Sequence, residues 1–490
     1  MFHLLTRCPR LSSLRVGASA ALQRPENRWR VAAKLFGLGV VLPGLCQAQS
    51  LSALLDLARG GEPTYLSAKT NVQAARARTD QALGAMLPQL SVSGNTTAND
   101  RKYQTRNSPV PPAKDSYNSN AAQVSVTQPI WRYANIVGWQ QAEAVAAQAE
   151  HQLAGAEQEL FARLVTAWFD LLAARDAVAF THQQLEALRR QWEIVRRGEE
   201  LGAHSFPQVV DAKAKLDQAL SDAVTAETDS QLKRAALEQL VGPLREQELP
   251  YVRGTAVLAD LNAGHMEKWL ETVELANPNI LAAQQAYEAG GSEVRKQRAG
   301  HYPTLDMVAS YGKNSQAVGG FPGQAGYEIT QGSVGLQLNI PIFSGGTQSA
   351  KVDEALAQKE KARLEIEAAR RGAILAAKQA WFGWHGAYAR AQAGAQAIKA
   401  ARTALAVARM GTENGLKTEL DLLQAEQQWR AGQRDFRKGR YDQVVAYVKL
   451  KAAAGMLTAG DVVALDALFV RVPEEAEPAP DTPAVRVSRR

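Results

Sequence analysis

The chain repeats itself. Pro88 in Leu87-Pro88-Gln89-Leu90 recurs as Pro303 in Tyr302-Pro303-Thr304-Leu305, 215 residues later. Pro129 before Ile130-Trp131 recurs as Pro341 before Ile342-Phe343, at 212. Gly198 and Gly202 of GEELG match Gly411 and Gly415 of GTENG, and Gly242 matches Gly455, all at 213. Landmarks in one order at one spacing mean that one folding unit was copied. The fold must therefore be made twice, over about 51–242 and about 265–455.

Each unit follows one plan, an α+β one: helical sequence up to a proline, two strand-like stretches, a very long helix, a glycine turn and a second helix. The strands are expected at about 88–104 and 119–131, then 303–315 and 327–343. Alternation is clearest in the last, where Val334, Leu336, Leu338, Ile340 and Ile342 interleave with Gly335, Gln337 and Asn339. A period of two with one apolar and one polar face suits a sheet with oil on one side and water on the other. Asn99–Asn118 and Gly312–Tyr327 read as polar loops between strands. That is the pattern of a membrane barrel, although the strands alone favour a soluble half-buried sheet.

The helices shift that balance. Ala134–Glu200 contains no proline and only three glycines, enough for one helix about 100 Å long. Small or apolar residues recur at Ala142, Ala146, Ala149, Leu153, Ala156, Leu160, Leu164, Ala167, Leu171, Ala174 and Val178. This is a heptad seam with one four-residue stutter, which locally unwinds a supercoil, so the helices should run nearly straight. Four strands cannot close a barrel, and open strand edges are not tolerated in lipid. Two chains would give eight strands around an interior filled by side chains. If the strands are transmembrane, a water-filled duct needs at least three chains and twelve strands.

Residues 1–48 read as a secretory signal. A basic segment precedes the apolar run Leu35–Leu45 and the small-residue site Cys46-Gln47-Ala48, with cleavage expected after Ala48. Cys46 as a lipid-anchor cysteine is the alternative, disfavoured because Leu45 stands where such a site wants Gly or Ala. Seven basic side chains and one acid, Glu26, put +6 of the net +7 in this leader. No basic stripe is left for nucleic acid. Both cysteines, Cys8 and Cys46, lie in the leader too, so a mature chain has no disulfide or thiolate site. Residues 49–472 form the expected folded body, and 473–490, rich in Pro and Glu, an expected disordered tail. The seven histidines are scattered and no HExxH, nucleophile elbow or phosphate loop is present, so no enzyme, cofactor or metal site is expected.

The combination resembles the TolC family of outer-membrane efflux and secretion channels, over roughly residues 51–457. The resemblance rests on Leu87-Pro88-Gln89-Leu90, on VGLQLNIPIFSGG (Val334–Gly346), and on Gly411, Gly415, Thr418, Asp421, Leu422, Leu423 and Ala425 of the second turn. The opening SLSALLDLARGGEPTYLSAK resembles the type I protein-secretion branch more than the multidrug-efflux branch. It implies a homotrimer in the outer membrane, with a twelve-stranded transmembrane barrel continued by a periplasmic α-barrel. A periplasmic adaptor and an inner-membrane ABC transporter or other pump would dock at the tip turns, Gly198–Gly202 and Gly411–Gly415. In that family acidic residues beside the second turn ring the closed entrance. Asp421 falls on the first acidic position and Gln424 on the second. Lys417 stands for a constraining arginine and Gln208 for its acidic partner. The resemblance thus implies a gate of Asp421, Gln424, Lys417 and Gln208 that is looser and less attractive to cations. Read from the residues alone, Asp421 is a solvated carboxylate in a helix's first turn. A periplasmic coiled-coil adaptor is the competing reading, disfavoured by the alternating strand pairs at each end of two long helices. Mass spectrometry of protein from the outer-membrane fraction should place the amino terminus near Gln49; an intact leader on a cytosolic protein would refute export.

Overall fold

The computed structural model describes residues 50–104, 106, 109, 111–244, 251–252, 263–321, 323–466 and 469–470. The expected leader and the expected tail lie outside the described residues. The first half comprises α1 (Leu51–Gly61), α2 (Pro63–Gly84), β1 (Gln89–Tyr103), β2 (Ala113–Trp131), α3 (Tyr133–Glu200) and α4 (Phe206–Val241), followed by the short β3 (Tyr251–Val252). The second half repeats it as α5 (Met266–Ala276), α6 (Pro278–Arg298), β4 (Thr304–Val318), β5 (Ala325–Asn339), α7 (Thr347–Glu413) and α8 (Glu419–Ala453), then adds α9 (Ala459–Asp466) and β6 (Phe469–Val470). Prolines start α2 and α6, where the missing N–H costs nothing. Glu62 caps α2 by accepting from Tyr65 N at 2.6 Å, and Asn277 caps α6 by accepting from Asn279 N at 3.0 Å.

The four long strands form one antiparallel sheet in the order β1-β2-β4-β5, and β3 pairs with β6. The ladder runs further than the polar sequence suggests. Lys102 pairs with Lys114 and Tyr103 with Ala113, so β2 begins at Ala113 rather than near 119. Gln316 pairs with Tyr327 and Val318 with Ala325, which leaves only 319–324 as the second loop. Polar residues were read as loops because apolar alternation marks strands only where one face meets oil. At the other end β5 stops at Asn339, just before Ile340-Pro341, since proline has no N–H for a ladder.

α3 and α7 run the whole helical length, at 68 and 67 residues. α4 and α8, of 36 and 35 residues, and α2 and α6, of 22 and 21, abut them in two tiers. Near the sheet the contact order is α2-α3-α6-α7, and beyond it α4-α3-α8-α7. None of the seam residues Ala142 to Val178 is exposed. Sheet and helices are locked at their junction. Arg132, between β2 and α3, donates from Nε and Nη2 to Oδ1 and Oδ2 of Asp306 on β4, at 2.7 and 2.6 Å. Gln128 Nε2 and Asn135 Nδ2 donate to the carbonyls of Met86 and Ala85.

The main apolar core lies where the tiers meet. Leu54, Leu55 and Ala58 of α1 and Val462 of α9 cover Leu160, Phe161, Leu164 and Trp168 of α3. Asp466 of α9 accepts from Leu51 N at 2.7 Å and Ser52 N at 3.1 Å, capping the first helix with the last. Trp168 is fully buried there. Trp168→Ala should cost about 3–5 kcal/mol, as large aromatic-to-alanine core changes do, and lower the thermal midpoint of the helical circular-dichroism signal in detergent.

Candidate functional site, the strand wall and the helical tips

The register sorts the sheet into two chemically different faces. Leu90, Val126, Ala309 and Val334 lie side by side across all four strands. Val92, Val124 and Tyr311 form the next row, and Met307 beside Leu336 and Leu305 beside Leu338 continue the band toward the helices. Val92 and Val334 are 75% and 78% exposed in the single chain. A contiguous apolar face of this kind marks a membrane or partner surface. No described helix is long and apolar enough to cross a membrane.

The opposite face is polar. Ser91, Ser125, Ser310 and Ser333 form one row, with Oγ–Oγ distances of 2.7 Å for Ser91–Ser125 and 2.9 Å for Ser310–Ser333. Gln123, Gln331, Thr127 and Gln337 share that face by the period of two. Beyond the apolar band Arg101 reaches Asp115 at 2.7 Å on the same side. The wall thus has an oil face and a water face, as an aqueous duct requires.

The far ends of the helical hairpins turn at two equivalent loops. Gly202 and Gly415 have φ of 75° and 70°, a backbone shape side chains rarely take. The Gly198 carbonyl accepts from Ala203 N and His204 N, and the Gly411 carbonyl from Leu416 N and Lys417 N. These turns fold a side chain back on the helix end. A Cβ at Gly198 would collide with the His204 ring, and one at Gly411 would sit 2.9 Å from Lys417 Cγ.

Each return helix opens with a capping box. Thr418 caps α8: Asp421 N donates to Thr418 Oγ1 at 3.2 Å, while Thr418 N and Oγ1 donate to Asp421 Oδ2 at 2.9 and 2.8 Å. Ser205 caps α4, with its N–H donating to Gln208 Oε1 at 2.8 Å. The backbone N–H and hydroxyl of Thr418, with the Lys417 charge nearby, hold the Asp421 carboxyl below its usual range. Gln424 is exposed one turn further on. The structure therefore brings Asp421 and Lys417 together at one tip and Gln208 with His204 at the other, where His204 Nδ1 lies 3.3 Å from Gln208 Oε1. Among the described residues of one chain no bond joins Lys417 to Gln208.

Two residues escaped the sequence reading. The 213-residue offset that pairs the tip glycines also pairs Lys417 with His204 and Gln424 with Asp211. Extending the offset past the glycines would have found both. Asp211 makes an i,i+4 ion pair with Lys215 at 2.7 Å.

The family described as outer membrane efflux protein matches residues 54–243 and again 269–456. The chain belongs to that family. The two matches span the two halves of the duplication. Among relatives, "Outer membrane protein TolC" of Vibrio cholerae is 24% identical over 420 residues, covering 86% of this chain and 94% of the relative. "Alkaline protease secretion protein AprF" of Pseudomonas aeruginosa is 26% identical over 423 residues, covering 85% and 87%. In fold, the outer membrane protein VceC of Vibrio cholerae matches with a TM-score of 0.65 at 21% identity, over 83% of this chain and 96% of that one. As a family member the chain is an outer-membrane channel subunit that extends into the periplasm, not an enzyme. Oil and water faces alternate residue by residue in β5, so neighbouring substitutions should diverge. Leu336→Arg, on the apolar face, should cost about 2–4 kcal/mol if it lies near mid-membrane and reduce heat-resistant oligomer on unheated gels, whereas Gln337→Arg should not.

Proposed function

We propose that three copies of this chain close into a twelve-stranded barrel continued by an α-helical duct, the outer exit of a type I protein-secretion system. The observation that carries the reading is the pair of open sheet edges. The order β1-β2-β4-β5 alternates in direction, so β1 and β5 run oppositely. β5 of one copy can therefore pair antiparallel with β1 of the next, a head-to-tail contact that closes by rotation. Twelve strands is the smallest multiple of four above the eight whose interior side chains fill. The name of the relative AprF, a protease secretion protein, supports protein cargo. On this reading a periplasmic adaptor and an inner-membrane ABC transporter dock at the turns around Gly198–Gly202 and Gly411–Gly415. Crosslinking the native complex and identifying the inner-membrane partner tests it: an ABC transporter is expected, and a proton-driven pump would assign the duct to small-molecule efflux instead. Detergent-extracted material should have the mass of three protomers and form discrete pores in planar bilayers; a stable, non-conducting monomer rejects the duct.

The tip carries the gate in this reading. Threefold symmetry would gather three Asp421 carboxylates at the narrow end, with Gln424 leaving them most of the field. Asp421→Ala should lower cation selectivity and Asp421→Arg should reverse it or block cations, with the trimer unchanged. The reversal potential in a salt gradient reads this; no change in either variant would leave Asp421 a capping residue alone.

A further inference from the structure

A cavity of about 610 Å³ opens where the helical tiers meet, beside α3. Ligand pockets commonly fall between about 300 and 1,000 Å³. Glu159, Arg163, Thr166 and Asp170 of α3 line it at steps of four, three and four, so they share one face of that helix. Leu160, Phe161, Leu164 and Trp168 lie on roughly the opposite face, buried under α1 and α9. In a closed duct α1 and α9 would obstruct the lumen if they lay inside, so they lie outside the wall. The cavity on the other side of α3 then opens inward, onto the path of the cargo. Lysines from two further helices border it, Lys233 of α4 and Lys449 of α8.

The charges of this cavity are unevenly satisfied. Glu62 accepts from Arg163 Nη2 at 3.1 Å and from Tyr65 N at 2.6 Å. Lys233 Nζ donates to Asp170 Oδ2 at 3.2 Å. Among the described residues no acid pairs with Lys449, which is exposed. Between these groups Ala162, Ala167 and Leu240 supply apolar surface. A free ammonium beside an apolar patch suits a carboxylate on a short aliphatic stem, as on aspartate or glutamate side chains. Neither the tips nor the membrane wall uses these residues.

We infer that this inward-facing pocket is a contact site for acidic segments of extended polypeptide in transit, with Lys449 taking the carboxylate. The inference rests on the duct reading and refines its cargo to carboxylate-bearing chains. Contact must be weak, because an exposed ion pair contributes only about 0.2–1 kcal/mol. Cargo can then be held briefly and released.

Full-length channels in planar bilayers, with hexaglutamate or hexalysine added on the barrel side, provide the test. Hexaglutamate should give transient current blockades longer than those of hexalysine. Lys449→Glu should shorten hexaglutamate dwell times about fivefold or more, about 1 kcal/mol at the upper end of such pairs, and Lys449→Arg should preserve them. Unchanged dwell times in Lys449→Glu at wild-type unitary conductance would overturn the pocket and leave the duct standing. If Lys449→Glu forms no pores, Lys449→Gln decides in the same way. Absence of pores in the wild type would overturn the duct itself, and the pocket with it.

Discussion

A strand edge facing hydrocarbon leaves its N–H and C=O groups without partners, at several kcal/mol for each group. In this chain the apolar face of the sheet puts both edges in that position, since β1 and β5 each have a neighbour on one side only. Further copies must supply the missing ladder. The helices carry the same incompleteness. Their tiers begin at α2 or α4 and end at α7, and both ends expose large apolar side chains: Leu220, Val224 and Leu232 on α4, Leu375 and Phe382 on α7. α2 leads directly into β1 and β5 directly into α7, so sheet and helices are open on the same two flanks. One rotation therefore satisfies both layers, and the backbone requirement in the membrane fixes the register of the helices beneath it.

Duplication explains why both tiers hold four helices. Each half supplies one through-going helix and two shorter ones, of 22 and 36 residues in the first half and 21 and 35 in the second, and the shorter pairs meet end to end beside it. That meeting place needs packing of its own, because two helix ends bring unsatisfied backbone groups together. Glu62, Asn277 and Asp466 answer this with side-chain acceptors at three helix starts. α1 and α9 cover the apolar stripe of α3 that abutting helices cannot reach. The charged pocket opens on the side of α3 that this core leaves uncovered.

Long, periodic elements were legible in the sequence, and special contacts were not. The absence of proline from Ala134 to Glu200 and the seam from Ala142 to Val178 were enough for a single helix, observed as Tyr133–Glu200. Alternation at Val334, Leu336 and Leu338 was enough for an oil-facing strand. The same rule misplaced the start of β2, because Ala113–Asn118 lie above the apolar band, where neither face needs to be greasy and only the ladder reveals the strand. The Arg132–Asp306 lock joins residues 174 apart in sequence and leaves no local trace. The tip glycines were visible as landmarks, but the reason for Gly198 and Gly411 was not. It lies in side chains, His204 and Lys417, that fold back onto them.

The capping boxes at the tips show how one scaffold can carry two electrostatic characters. The box asks position three of the helix only for an oxygen acceptor, and an amide serves as well as a carboxylate. Gln208 meets the demand on α4 and Asp421 on α8. The exchange leaves the turn geometry alike while adding a negative charge to one hairpin. At Asp421 both bonds from Thr418 end on Oδ2, and the residue stays exposed. Its cap function thus takes one oxygen and its charge remains available to whatever the tip faces. Capping also holds that charge still, because two short bonds from the preceding turn restrict the carboxylate's rotation. A structural cap and an entrance charge are therefore compatible roles for one side chain, and the first makes the second more sharply positioned.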